Sequence, residues 1–320
     1  MHIPDGFLDA KTTAVTFGLS AAGLGWATRT ARRTLPPRRI PLIGVTAAFV
    51  FAAQMINFPV AGGTSGHLIG GVLAAALLGP SGAVLVIASV LIVQCLLFMD
   101  GGLLALGANI FNMGIVGSAG AYGIYALVRR CIPGQRGLFT AAAFAAWLSV
   151  ALAATCCAAQ LALSGTAPWK TVFPAMASMH MLIGIGEALI TTLVLAAIAS
   201  ARPELLQRGI PPDTVRPRAD LLVYGLLIAI GLAVLVAPFA SPWPDGLSRV
   251  ASRLGFAHHA TPAILPAPMR DYAVPGISTP VMATAVAGCV GTLLMFLVAF
   301  AFATLLVRRK QTAHTTMTDT

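Results

Sequence analysis

Residues 40–99 read IPLIGVTAAFVFAAQMINFPVAGGTSGHLIGGVLAAALLGPSGAVLVIASVLIVQCLLFM, 60 residues without an Asp, Glu, Lys or Arg. One helix crosses a bilayer core in about 20 apolar residues, so this stretch holds more than one crossing. Its middle, NFPVAGGTSGHLIGG (57–71), is the natural place to break it. The reading is a span near 41–58, a loop, a short apolar piece at 68–78 and a span at 81–99. At 1.5 Å per residue the short piece covers about 16 Å, roughly half a bilayer core.

The same pattern continues on both sides. Uncharged runs predict further spans near 11–28, 102–128, 138–163, 176–200, 220–240 and 281–307. Charged residues make up 9% of the 320-residue chain and the mean hydropathy is +0.87, against about 25% charge in a soluble domain. The fold class is all-α, polytopic and membrane-embedded. The net charge of +10 falls in short clusters between spans. That is how a membrane protein orients itself, and it does not point to nucleic acid.

Charge also decides whether the short piece crosses. With nine spans and the amino terminus outside, 15 Lys/Arg lie inside and five outside (Lys11, Lys170, Arg249, Arg253, Arg270). Without that crossing, every later loop flips and the split becomes nine inside and eleven outside. The positive-inside rule selects nine spans, amino terminus out and carboxyl terminus in. The longest loop, 241–279, contains SPWPDGLSRVASRLGF and separates a final pair of spans from the rest. It predicts two modules, 1–205 and 206–320.

The chain opens MHIPDGFLDA, with no Lys or Arg and two aspartates, unlike a secretory signal. Met1 is therefore expected to be the mature first residue, with a free amine. The Met1 amine, the Met1–His2 amide nitrogen and His2 Nδ1 can close a five- and a six-membered chelate ring in one plane. A fourth ligand is needed, and His67, on the same predicted side, is the candidate. Four planar nitrogens suit Ni(II) or Cu(II), Zn(II) prefers a tetrahedron, and the hard ions Mg²⁺ and Ca²⁺ are disfavoured. The bland alternative is a solvated terminal His2 and a hydrogen-bonded loop His67. Asn57 or Ser65 could complete the set if the amine does not bind.

Gln94, Asp100, Asn109 and Asn112 lie in or beside spans, where polar groups must face protein or water. They either support the metal site from behind or hydrogen-bond between helices. His180 and Glu187 are seven residues apart and share a helix face. Glu187 is the one acidic residue deep in a predicted span, and with His180 it is read as a functional pair or a buried structural pair. His258 and His259 are at most accessory. The five cysteines lack metal or redox spacing and read as reduced and structural. No P-loop, HExxH, GxSxG or GxGxxG-after-strand unit occurs, and no soluble region is large enough for a catalytic domain.

MHIPDGFL, INFPVAGGTSGHLIGGVLAAALLGP, DGGLLALGAN with NMG, and HMLIGIGEALIT occur in this order over residues 1–205. Together they resemble the CbiM/NikM family, the substrate-binding membrane subunits of energy-coupling-factor transporters for cobalt and nickel. SPWPDGLSRVASRLGF resembles the PDGLE (CbiN/NikN-like) module, with Ser248 where that motif carries Glu. The resemblance implies a planar four-nitrogen site from Met1, His2 and His67, with Ni(II) or Co(II) as transported substrate. It further implies a coupling subunit (CbiQ/NikQ-like) and ATP-binding-cassette ATPases (CbiO/NikO-like), a bacterial inner-membrane location and a link to cobalamin biosynthesis. The chain itself would be no enzyme. The alternative is an autonomous proton-coupled carrier using His180 and Glu187.

Overall fold

The computed structural model describes residues 1–206 and 218–318, without the side chains of Arg218 and 307–318. Of the charge count, Arg208 and Arg216 fall outside these residues, and the basic tail has its backbone described without side chains.

The chain is mostly helical. Helix α1 (Ala10–Thr34) starts at Asp9, whose carboxylate accepts from the Thr12 N–H at 2.9 Å, and ends on Arg32 and Arg33. Both termini suit the helix dipole. Its buried stripe, Thr12, Thr16, Ser20, Ala27 and Ala31, is made of small residues. They bring a neighbouring backbone close enough for the Ser20 hydroxyl to donate to the Gly107 carbonyl at 2.6 Å.

Helix α2 (Ile40–Gln54) is followed by a small antiparallel hairpin, β1 (Phe58–Val60) and β2 (Thr64–Gly66). The hairpin departs from the all-α expectation. Gly62 and Gly63, at φ 75° and 67°, make the tight turn that closes it. Helix α3 (Gly71–Phe98) is broken at Gly79, whose φ of 81° and ψ of 170° precede Pro80. The short apolar piece therefore exists, but it starts at Gly71, because Leu68–Gly70 are non-helical and lead in from the hairpin.

Four long helices follow: α4 (Leu106–Cys131), α5 (Gly134–Leu163), α6 (Trp169–Ala201) and α7 (Ala219–Phe239). A short α8 (Gly246–Leu254) lies in the long loop, and α9 (Pro280–Leu306) closes the fold. Among the described residues, six helices are long and apolar enough to cross a membrane: α3 to α7 and α9. Helices α5 and α6 form the most extensive pair. The buried face of α5 is small, with Ala142, Ala145, Ala146, Ser149, Ala153 and Cys157 along it. Helices α7 and α9 pack on α2, where Gly225 meets Val45 and Gly44 meets Phe296. The loop between α7 and α9 folds back onto the amino-terminal segment, the hairpin and the end of α3, through Thr261 to Asp5, Ser65 to Pro244 and Met269 to Leu97.

Candidate metal centre

The first nine residues are tied down at almost every step. The Ile3 N–H donates to Asn109 Oδ1 at 2.8 Å, and Asn109 Nδ2 donates back to the Ile3 carbonyl at 3.1 Å. Asp5 accepts from the Leu103 and Leu104 N–H groups at 3.2 and 2.8 Å. Gly102 permits this, since a Cβ there would sit 2.2 Å from an Asp5 oxygen. The Thr166 hydroxyl donates to the Phe7 carbonyl at 2.5 Å. Met1 is 5% exposed and Ile3 is fully buried, so the terminus is a structural element.

This fixed strand delivers the amine to His67. The Met1 ammonium donates to His67 Nε2 at 2.6 Å, and His67 Nδ1 donates to the Leu68 carbonyl at 3.1 Å. That second bond sets the tautomer and leaves the Nε2 lone pair facing the amine. Burial pushes the His67 imidazole down to about 3, helped by the positive charge of the amine and by His2. His67 is thus neutral at any physiological pH. The rings of His2 and His67 are near-parallel, their centroids 5.0 Å apart.

His2 is held from behind. Its Nδ1 lies 3.0 Å from Asp100 Oδ1 and its Nε2 3.2 Å from Gln94 Oε1. Gln94 donates onward to Gln54 at 2.9 Å, and Gln54 to the Ile69 carbonyl at 2.9 Å. Gln94 opens a π-helical turn, and Met99, at φ 59°, ends it and directs Asp100 toward His2. The Tyr272 hydroxyl donates to the other Asp100 oxygen at 2.6 Å. Burial opposes the Asp100 charge, but His2 and Tyr272 hold its carboxyl well below the usual carboxylate range. Burial and the neighbouring Asp100 charge raise the Tyr272 phenol well above its ordinary value.

Asp245 completes the cluster, its Oδ2 lying 2.9 Å from the Met1 amine. Burial would raise its carboxyl, but the amine and Ser248 hold it well below the usual range. Its backbone docks on the hairpin edge. The Ser65 N–H donates to the Pro244 carbonyl at 2.9 Å, the Ser65 hydroxyl to the Trp243 carbonyl at 2.7 Å, and Ser65 bridges Asp245. Ser248, the departure from the PDGLE motif, is exposed, and both its N–H, at 2.8 Å, and its side chain hydrogen-bond Asp245.

The structure thus brings Met1, His2, His67, Gln94, Asp100 and Asn109 together. Asn57 and Ser65 serve another purpose: the Asn57 carbonyl accepts from the Ser241 N–H at 2.8 Å, so both dock the long loop. Asn112 pairs reciprocally with Gln160, both bonds at 2.8 Å, and joins two helices. His180 and Glu187 are not a pair. Glu187 accepts from the Ile69 and Gly70 N–H groups at 2.6 and 2.9 Å and so fixes the chain just past His67. His180 Nδ1 donates to the Met176 carbonyl at 2.8 Å.

Asp245, Tyr272, Gln54 and Asp5 were not singled out by sequence reasoning. Asp245 alone carried a signal, as the acid of the PDG sequence. Tyr272 carried none.

Comparison with known proteins agrees with this anatomy. Residues 2–205 match the family model CbiM, the cobalt uptake substrate-specific transmembrane region, and residues 219–309 match the PDGLE domain. An Archaeoglobus fulgidus protein carrying the name of a fused nickel transport protein, NikMN, is 36% identical over 94% of this chain and 97% of its own length. The fused nickel transport protein NikMN of Rhodobacter capsulatus is 34% identical over 74% of this chain and 72% of its own. A crystal structure of a truncated transition metal transporter matches with a TM-score of 0.57 at 34% identity, covering 62% of this chain and 99% of that one.

Proposed function

This chain belongs to the CbiM family of cobalt-uptake transmembrane proteins and is a nickel/cobalt transport protein of the CbiM/NikMN type, and from that premise we propose that it is the substrate-capture subunit of an ATP-driven importer. The cargo is Ni(II) or Co(II). The observation that carries this reading is the buried Met1 amine, 2.6 Å from a neutral His67 Nε2 with His2 alongside.

In the planar state the ion takes the amine, the deprotonated Met1–His2 amide nitrogen, His2 Nδ1 and His67 Nε2. His2 Nδ1 exchanges Asp100 for the metal in doing so. The amine and the amide each give up a proton, so capture competes with acid. Residues 1–205 form the metal-binding unit and 206–320 a PDGLE-like module. The chain crosses the bacterial inner membrane nine times, amino terminus out and carboxyl terminus in. A coupling subunit and ATP-binding-cassette ATPases supply the energy. The proton-coupled carrier needs a free carboxyl at Glu187, and both of its oxygens are engaged by backbone N–H groups.

The test is Ni(II) binding to the purified full chain. His67→Ala and one alanine inserted after Met1 should each weaken binding more than a hundredfold, beyond the effect of losing a supporting residue. Native affinity and an unchanged absorption spectrum in either variant would overturn the site.

A further inference from the structure

Helix α7 packs on α2 and leaves a space beside α6. The cavity there has a volume of about 470 Å³, within the range of small-molecule sites. Residues of α2, α3, α6 and α7 line it, so its walls come from both modules. One end is charged. Arg202, at the close of α6, and Asp220, exposed in the first turn of α7, bring opposite charges there. Arg202 also pairs with Glu204. Apart from Arg202, Asp220, Thr46 and Tyr224, the lining side chains are hydrocarbon.

Thr46 is 3% exposed, and its hydroxyl has no hydrogen-bond partner among the described residues. A helical threonine hydroxyl often donates to the carbonyl four residues earlier, as Thr155 and Thr304 do here. A buried donor left idle costs free energy unless a guest supplies an acceptor. Helices α2 and α7 run parallel, with Gly225 against Val45, and Ala48 and Ala52 clustered with Ala229 and Ala233. At 1.5 Å per residue, Thr46 therefore lies roughly 8 Å along the axis from the level of Asp220. From the charged end inward, the cavity presents a pair of opposite charges, then one hydroxyl, then hydrocarbon.

A membrane phospholipid carries matching groups in the same order: a charged headgroup, ester carbonyls beneath it, then acyl chain. Opposite charges at one mouth suit a headgroup that holds both a phosphate and an ammonium. Along α7 the cavity runs from Leu221 to Ile228, about 10 Å, against about 15 Å for the hydrocarbon of one leaflet. We propose that this cavity holds one zwitterionic phospholipid of the ethanolamine class. Its phosphate meets Arg202, its ammonium meets Asp220, an ester carbonyl accepts from the Thr46 hydroxyl, and an acyl chain fills the rest. The lipid completes a seam that the small residues of α2 and α7 leave open. It thereby braces the module whose loop brings Asp245 and Tyr272 to the candidate metal centre.

Native mass spectrometry of the full chain in mild detergent tests this. After delipidation the chain should take up one added phosphatidylethanolamine at least tenfold more readily than phosphatidylglycerol, and its thermal midpoint should rise with that lipid. Soluble phosphoethanolamine should do neither, because the acyl chain is part of what is bound. Ala197→Trp fills the cavity and should abolish both responses. Thr46→Val keeps the shape and should weaken uptake several-fold. Asp220→Asn, at an exposed position, should remove the preference over phosphatidylglycerol while keeping the fold. Unchanged uptake in Ala197→Trp, or unchanged uptake and preference in Thr46→Val and Asp220→Asn, would overturn the proposal. So would an equal effect of phosphoethanolamine, or no preference between the two lipids in the unaltered chain. A chain that takes up no lipid at all would overturn it too, and would leave the seam to a protein helix.

Discussion

Helix α3 and helix α7 are equally apolar, but they are used in opposite ways. The most hydrophobic window of α3 is 78% buried within the protein, and that of α7 is 17% buried. Polar groups in and around α3 tie it to the site: Gln94 bridges His2 and Gln54, and Glu187 holds the backbone just ahead of it. Helix α7 shows Leu227, Ile228 and Leu235 to its surroundings, and none of its described residues reaches the candidate metal centre. Its module still reaches that centre, through Asp245 and Tyr272 in the loop that follows. Hydropathy thus identifies a span without telling whether it is a wall of the site or an anchor for something that is.

The comparison breaks first at Glu187. Glu187→Ala leaves the Ile69 and Gly70 N–H groups buried without acceptors, at about 1–3 kcal/mol each. The expected result is a lower thermal midpoint together with loss of Ni(II) binding, because His67 loses its support. A variant that melts and binds normally would show that α3 does not need this clamp.

A smaller effect follows from pH. The folded His67 refuses a proton until about pH 3, whereas the unfolded imidazole accepts one near its ordinary value of 6.5. Stability should therefore fall as pH drops from about 6.5 towards 3, by at most about 1.4 kcal/mol per unit. Asp245 acts in a lower window. Its folded carboxyl is depressed, so its contribution is intact above the unfolded value of about 3.9 and is lost only below it. Thermal midpoints of the apo-protein between about pH 4 and 8 test the His67 window, which His67→Gln should flatten, and an extension below about pH 4 tests the Asp245 window.

Tyr272→Phe removes one hydrogen bond to a charged partner, Asp100, worth about 1.5–3 kcal/mol locally. The stacked ring against Phe98 remains. Ni(II) affinity should drop about tenfold, and the midpoint should fall by a few degrees; an unaltered affinity would mean that the loop's second contact is idle. The smallest effect is expected for Leu235→Ala, 70% exposed on α7, which should stay within about 0.5 kcal/mol and leave binding unchanged.

What could be read in advance follows physical range. Spans are local properties of composition, so 138–163 and 220–240 lie within a few residues of the helices found. The closeness of the Met1 amine to His2 is set by covalent bonds, and the expected third member, His67, does lie 2.6 Å from that amine. Pairings across the fold could not be read. The polarity of Asn112 demands a partner, but nothing in it names Gln160, 48 residues away. Glu187 and His180 share a face by periodicity, yet packing sends one to a backbone and the other to a cavity. Tyr272 reaches Asp100 only because Asp271 and Tyr272 take left-handed backbone angles, φ 54° and 58°, in a loop with no periodicity to read.

The docking of the long loop at Ser65 runs largely through main-chain atoms: Ser65 takes the carbonyls of Trp243 and Pro244, and the Asn57 carbonyl takes the Ser241 N–H. Main-chain recognition asks little of the side chains it joins. Substitutions at 241–244 can accumulate while the seam persists, with Asp245 and Gly246 under far tighter constraint. The same contacts are open to a module supplied as a separate polypeptide. Gene fusion then changes the encounter and not the interface, by raising the effective concentration of the loop to about the millimolar range. A split version of this protein should assemble the same seam, weakly and in proportion to how much of the second piece the membrane holds.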